Sequence, residues 1–201
     1  MRARAADLGD HAEGLARRAI GLGADAVAAY VPWFYPATDA DARTHFEGLL
    51  EAAGDTPAFL YNIPRRTVND LSAELAGELA AAGFKGMKDS TGDFARHQAY
   101  LDATRAHEFE LYIGSEPLAL RAYREGAAGA ITGLAGARPE LFTRLRDAVQ
   151  DGDDTAAEAV QAEIATAKAE VESEGSTVAA VKRRVAARVK GYPPAPRAPF
   201  A

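Results

Sequence analysis

The sequence predicts an α/β protein assembled from repeated strand–helix units. Short apolar runs alternate with longer segments of helical period along most of the chain. The ends of those runs, Tyr30, Tyr61, Lys88, Gly114 and Thr132, fall 31, 27, 26 and 18 residues apart. That spacing suits consecutive βα units in a parallel sheet. With 201 residues, 48% hydrophobic and 26% charged, the chain is long enough to bury a core of this kind.

The elements follow in order. Ala12 to Leu22 has a helical pattern and stops at Gly23, so Gly21-Leu22-Gly23 reads as a helix stop rather than a phosphate loop. Ala26 to Val31 is a strand closed by Pro32, and Asp41 to Ala53 is a helix capped by Thr38 or Asp39. Ala58 to Asn62 is a strand between Pro57 and Pro64, and Leu71 to Ala82 is a helix with Gly83 just past its end. Phe84 to Lys88 is a strand, followed by a helix from Phe94 to His107 and the strand Leu111 to Ile113. A helix through Leu118, Leu120 and Tyr123 then leads to the strand Ala130 to Thr132. Beyond it the pattern is helical. One apolar face carries Val160, Ile164, Ala167 and Val171, and another carries Val178, Val181 and Val185. Asp151-Gly152-Asp153-Asp154 lacks the later glutamate of a calcium loop and reads as a turn with a helix cap.

Five strands fit an open sheet, or a barrel without its first strands, because a closed eight-stranded α/β barrel takes about 250 residues. The opening helix runs directly into the first strand, so the chain begins midway through a βα unit. Its organisation is read as residues 1–136 forming a partial (β/α)8 barrel, 137–191 the C-terminal helices and 192–201 a Pro-rich extended tail.

Composition removes several functions. The net charge of −6 makes nucleic acid and anionic membranes poor partners. There is no cysteine, so disulfides, thiolate catalysis and cysteine-ligated metals are excluded. The amino-terminal residues lack the apolar segment of a signal peptide and no stretch is suited to span a bilayer, which makes the cytoplasm the expected location. His11, His45, His97 and His107 show no ligand spacing, and solvation is the expectation for each.

Lys88 stands out. It ends an apolar run and is followed by Asp89-Ser90-Thr91-Gly92-Asp93, a strand leading into a helix cap. A cation therefore sits at the carboxyl end of a strand, where α/β barrels build their active sites. A lysine in an apolar enclosure loses hydration, its pKa falls, and its neutral amine can attack a carbonyl.

Four motifs occur in order: Tyr61-Asn62-Ile63-Pro64-Arg65-Arg66-Thr67, Gly86-Met87-Lys88-Asp89-Ser90-Thr91-Gly92-Asp93, Gly114-Ser115-Glu116 and Gly126-Ala127-Ala128-Gly129-Ala130-Ile131-Thr132-Gly133. Together they resemble the dihydrodipicolinate synthase and N-acetylneuraminate lyase family of pyruvate-dependent class I aldolases. Tyr30-Val31-Pro32-Trp33-Phe34-Tyr35-Pro36 resembles the loop after that family's fourth strand. The resemblance implies a (β/α)8 barrel represented by strands four to eight. It also implies a homo-oligomer acting on a 2-oxo acid such as pyruvate.

By the same resemblance, Lys88 is the Schiff-base lysine and Tyr61 the tyrosine whose phenol moves protons. Arg66 matches the arginine that holds the second substrate's carboxylate. Asn62, Gly114, Ser115 and Ile131 fall among the substrate-binding positions, Ile131 through its backbone carbonyl. The implied chemistry is an imine between Lys88 and the keto carbon, with no metal and no separate cofactor. A phenol within reach moves the protons, and a planar guanidinium suits a carboxylate. The family's Gly-Thr-Thr-Gly-Glu-like motif, which binds the pyruvate carboxylate, has no counterpart in this sequence.

Arg66 favours the synthase branch. Lys88-Asp89-Ser90, Gly114-Ser115-Glu116 and Trp33-Phe34-Tyr35 look more like relatives that cleave 2-keto-3-deoxy sugar acids, and Arg65 stands where the synthase motif has serine. A catalytically silent relative acting as a binding or structural partner is the alternative from another class.

Overall fold

The computed structural model of the chain describes residues 8–198. The amino-terminal residues 1–7, read above as lacking a leader segment, and residues 199–201 of the tail lie outside the described residues. The chain divides into two compact units, Met1–Tyr112 and Ile113–Ala201.

The first unit opens with helix α1 (Leu8–Gly21) and strand β1 (Val27–Tyr30), followed by α2 (Asp39–Ala53) and β2 (Ala58–Asn62). A short helix α3 (Pro64–Thr67) and α4 (Ala73–Ala82) lead to β3 (Gly86–Asp89), α5 (Phe94–Thr104) and β4 (Glu110–Ile113), whose last residue falls in the second unit. Thr38 begins α2 with a capping box: its hydroxyl accepts from the Asp41 N–H at 3.2 Å while the Asp41 carboxylate accepts from the Thr38 N–H at 2.8 Å. Ser72 caps α4 without a reciprocal bond, its hydroxyl accepting from Leu75 N–H at 3.1 Å. Gly83 ends it at φ 122°, a conformation that a side chain would strain.

β1 and β2 are parallel with Tyr30 opposite Tyr61, and β2 and β3 are parallel with Tyr61 opposite Lys88. The sequence of β3 reads as a strand from Phe84, but the regular strand begins at Gly86. Phe84 is buried against Phe46, edge to face at 5.7 Å, and only the backbone of Lys85 joins the ladder, to Ala58 and to Glu110. The core of this unit packs Phe46, Leu49, Leu60, Leu75, Leu79 and Met87 on one another, all at most 1% exposed. α5 stops at Thr104, three residues short of the expected His107. Chain order is also sheet order, β1-β2-β3-β4-β5.

The second unit continues through a 3₁₀ turn (Glu116–Leu118), α6 (Ala119–Arg124), the two-residue strand β5 (Gly129–Ala130) and α7 (Gly133–Ala137). Ile131 donates its N–H to the Ile113 carbonyl at 3.0 Å. Three longer helices follow: α8 (Pro139–Gln150), α9 (Asp154–Ser173) and α10 (Thr177–Arg188). Asp153 caps α9 through Ala156 N–H at 2.9 Å, as its sequence suggests. Val160, Ile164, Ala167 and Val171 are all buried. The face expected on α10 is inward only in part: Val181 and Val185 are half-buried, Val178 is 51% exposed, and Ala180 is the fully buried residue. Ala180, Arg184 and Arg188 follow one helical row. Arg188, itself exposed, anchors the end of α10 by donating to the Ala137 carbonyl at 2.7 Å and to Glu140 at 2.8 Å.

Candidate functional site

In a parallel sheet, residues in register present their side chains on the same face. The β2–β3 register therefore sets Tyr61 beside Lys88, and Lys88 Nζ donates to the Tyr61 phenol oxygen at 2.9 Å. The same nitrogen lies 4.1 Å from the centroid of the tyrosine ring. Both residues are half-buried, at the carboxyl ends of their strands. An amine touching a phenol provides a nucleophile and a proton carrier in one hydrogen bond.

Asn62 is the next residue on β2 and so turns to the opposite face. It is fully buried, and its amide is occupied: Nδ2 donates to Asp70 at 2.8 Å and to the Tyr100 hydroxyl at 2.9 Å, while Oδ1 accepts from Leu71 N–H. Asn62 thus joins a polar layer between the sheet and α5. Arg96 belongs to the same layer, donating to Tyr100 at 3.0 Å and pairing with Asp70 at 2.8 Å. Burial, helped by the charges of Asp70 and Asp89, pushes the Tyr100 hydroxyl up to about 12 despite the Arg96 hydrogen bond.

Arg65 and Arg66 stand exposed on α3, and neither side chain has a hydrogen-bond or ion-pair partner among the described residues. After α3 the chain passes through Val68 at φ 72°, an uncommon backbone for a β-branched residue. Asn69 follows it and ties this loop to the aromatic loop after β1. Its Nδ2 donates to the carbonyls of Pro32 and Tyr35, each at 2.7 Å, and its Oδ1 accepts from Ala37 N–H at 2.8 Å. Trp33, Phe34 and Tyr35 stack edge to face on that loop and stay exposed. Sequence reasoning passed over Asn69, since only its position after a turn hinted at a role.

An apolar cavity of about 360 Å³ lies along β1, lined by Leu15, Ala19, Val27, Tyr30, Trp33 and Leu49 among others. Neither Lys88 nor Tyr61 lines it. In the second unit, Ser115 precedes the 3₁₀ turn and its carbonyl accepts from Leu118 N–H at 3.1 Å. Gly114 is half-buried, and Ile131 is 45% exposed where the chain leaves β5. No group of three or more metal-ligating side chains occurs among the described residues. No helix among them is long and apolar enough to cross a membrane.

His97 departs from the solvation expected of it. It is completely buried, with Nδ1 3.0 Å from the Asp89 carboxylate, directly behind the strand end that carries Lys88.

Parallel strands in chain order, helices between them and a lysine–tyrosine pair at the strand ends define a protein of the (β/α)8-barrel class, with five strands among the described residues. The model of the dihydrodipicolinate synthetase family matches residues 9–201. The 4-hydroxy-tetrahydrodipicolinate synthase of Acidovorax sp. (strain JS42) is 34% identical over 148 residues, covering 73% of this chain and 49% of that protein. The crystal structure of KD(P)GA from T. tenax superposes with a TM-score of 0.82 at 30% identity, covering 96% of this chain and 66% of that one. YagE from E. coli K12, solved in complex with pyruvate, shares the fold with a TM-score of 0.86 at 21% identity, covering 96% and 66%. The chain belongs to the dihydrodipicolinate synthetase family. It spans about half the length of the curated relatives it matches.

Proposed function

We propose that this protein is a carbon–carbon lyase that forms a Schiff base between Lys88 and a 2-oxo acid such as pyruvate. The carrying observation is the 2.9 Å contact between Lys88 Nζ and the Tyr61 hydroxyl on paired strands. The neutral amine adds its lone pair to the C2 keto carbon. The resulting carbinolamine gains a proton on oxygen from the Tyr61 phenol and loses water, leaving an iminium. That iminium accepts electrons from C3. Loss of a C3 proton gives an enamine that attacks an aldehyde carbon. In reverse, the C3–C4 bond breaks with its electron pair moving toward nitrogen. Water then hydrolyses the imine and frees Lys88.

Arg66, exposed on the short helix α3 that follows β2, holds the carboxylate of the second substrate in this reading. Covalent catalysis of this form asks for no separate cofactor. Membership of a family with named synthases, and the pyruvate in the YagE structure, support the substrate class. Cleavage of a 2-keto-3-deoxy acid is the second reading, favoured by the likeness to KD(P)GA.

The test is reduction with borohydride in the presence of pyruvate, followed by peptide mass mapping. A reduced pyruvate adduct on Lys88, lost in Lys88→Ala and slowed by about two orders of magnitude in Tyr61→Phe, is the expected result. Absence of any adduct on Lys88 in the unmodified protein sinks the proposal. Release of pyruvate from a panel of 2-oxo acids separates the two substrate readings.

A further inference from the structure

We propose that His97 is a positioning residue for Lys88, acting through Asp89. This deepens the Schiff-base reading and rests on Lys88 being the reactive amine.

Lys88 and Asp89 are consecutive residues of β3, so their side chains leave the strand on opposite faces. Lys88 meets Tyr61, and Asp89 is buried completely on the helix side. Both of its carboxylate oxygens are engaged. Oδ1 accepts from the Thr91 N–H at 2.9 Å and the Thr91 hydroxyl at 2.8 Å, and Oδ2 lies 3.0 Å from His97 Nδ1. The carboxylate can only accept, so Nδ1 carries the hydrogen.

The chain between them is a closed circuit. Thr91 accepts from Asp93 N–H at 3.3 Å, Asp93 caps α5 through Ala95 N–H at 2.8 Å, and His97 on α5 returns to Asp89. The backbone that carries Lys88 is thereby fixed to α5 from behind.

This arrangement is a poor choice for stability alone. His97 Nε2 is buried with no hydrogen-bond partner among the described residues, and the Phe94 ring stands 6.0 Å from the imidazole. An apolar pair of the same volume would leave no orphan nitrogen and bury no ionisable group. What the pair supplies is direction. It holds one side of the strand end rigid, so the flexible four-carbon stem on the other side starts from a fixed point.

The experiment compares His97→Asn, whose amide reaches the place of Nδ1, with His97→Gln, whose longer side chain carries its amide toward Nε2 instead. Lys88 reactivity is read by competitive labelling with acetic anhydride and peptide mass spectrometry, with Lys85 and Lys190 as internal standards. No substrate is needed. The expected result is a fall of about tenfold or more in Lys88 labelling for His97→Gln, recovery to near the unmodified rate for His97→Asn, and unchanged standards. Equal Lys88 labelling in all three proteins overturns the inference, as does a fall in His97→Gln that the standards share. Should His97→Gln not fold, Asp89→Asn keeps the shape of the carboxylate, and unchanged Lys88 labelling there overturns the inference equally. Pyruvate trapping on the same samples separates the two readings. An Lys88 labelling pattern that follows the expectation without any pyruvate adduct upholds His97 and removes the Schiff base. Trapping with equal labelling in all three proteins does the reverse.

Discussion

Gly86 shows how tightly one residue can constrain a sheet. A Cβ built there would come 2.4 Å from the Glu110 carbonyl oxygen and 2.8 Å from Phe59 Cε1. The first of these is backbone and cannot turn aside. Gly86→Ala is therefore expected to cost about 1–3 kcal/mol, read as a lower denaturation midpoint with an unchanged slope. An unaltered midpoint would mean that β4 shifts freely against β3. The Lys88–Tyr61 contact belongs to the same scale. It was legible in the sequence because one βα repeat separates two strand ends, and parallel register then sets them side by side. The buried Asp89–His97 pair was not legible. Nothing in the periodicity of Phe94 to His107 distinguishes an inward histidine from a solvated one, because the rotation of α5 is set by what it packs on. Asn62 was read together with its motif neighbour Tyr61, but it faces the other side of the strand and bonds to Asp70, Tyr100 and Leu71.

Among the elements, α8 and α10 are joined by charge. Arg138 and Arg188 both donate to Glu140, which joins the start of α8 to the end of α10. Burial works to raise the Glu140 pKa, but those hydrogen bonds outweigh it and hold the carboxyl at about 2. A pKa depressed in the folded state adds stability above the ordinary value near 4.5. That contribution fades as the pH falls from there toward 2. Thermal melts should show Glu140→Gln less stable than the unmodified protein at neutral pH, with the gap closing between about pH 4 and pH 2. The side chain is 40% exposed, so added salt should narrow the gap as well. A gap that persists at pH 2 would assign the effect to packing. The sequence marked the apolar face of α9 and a helical pattern beyond it, but no local pattern records that Arg188 reaches the Ala137 carbonyl, a contact 51 residues apart in the chain.

For the whole molecule, the acidic balance has a direct consequence. The chain carries a net charge of −6 at pH 7 and reaches neutrality near pH 5.3. Repulsion between copies is weakest there, so light scattering at constant protein concentration should peak close to that pH. A flat profile from pH 7 to 5 would show that apolar surface rather than net charge controls association. At this scale, the sequence by itself determined the succession of parallel strands and helices, the family, and the strand ends that carry Lys88 and Tyr61. The elements and strand ends follow from local apolar runs, caps and spacing, and the family from its four short motifs, all of which the chain encodes over a few residues. Only the tertiary structure decided which side chains stand back to back across β3, which loop Asn69 holds, and which face of α10 turns inward. Those depend on helix rotation and on contacts between residues 32 to 51 positions apart, and no local pattern records them.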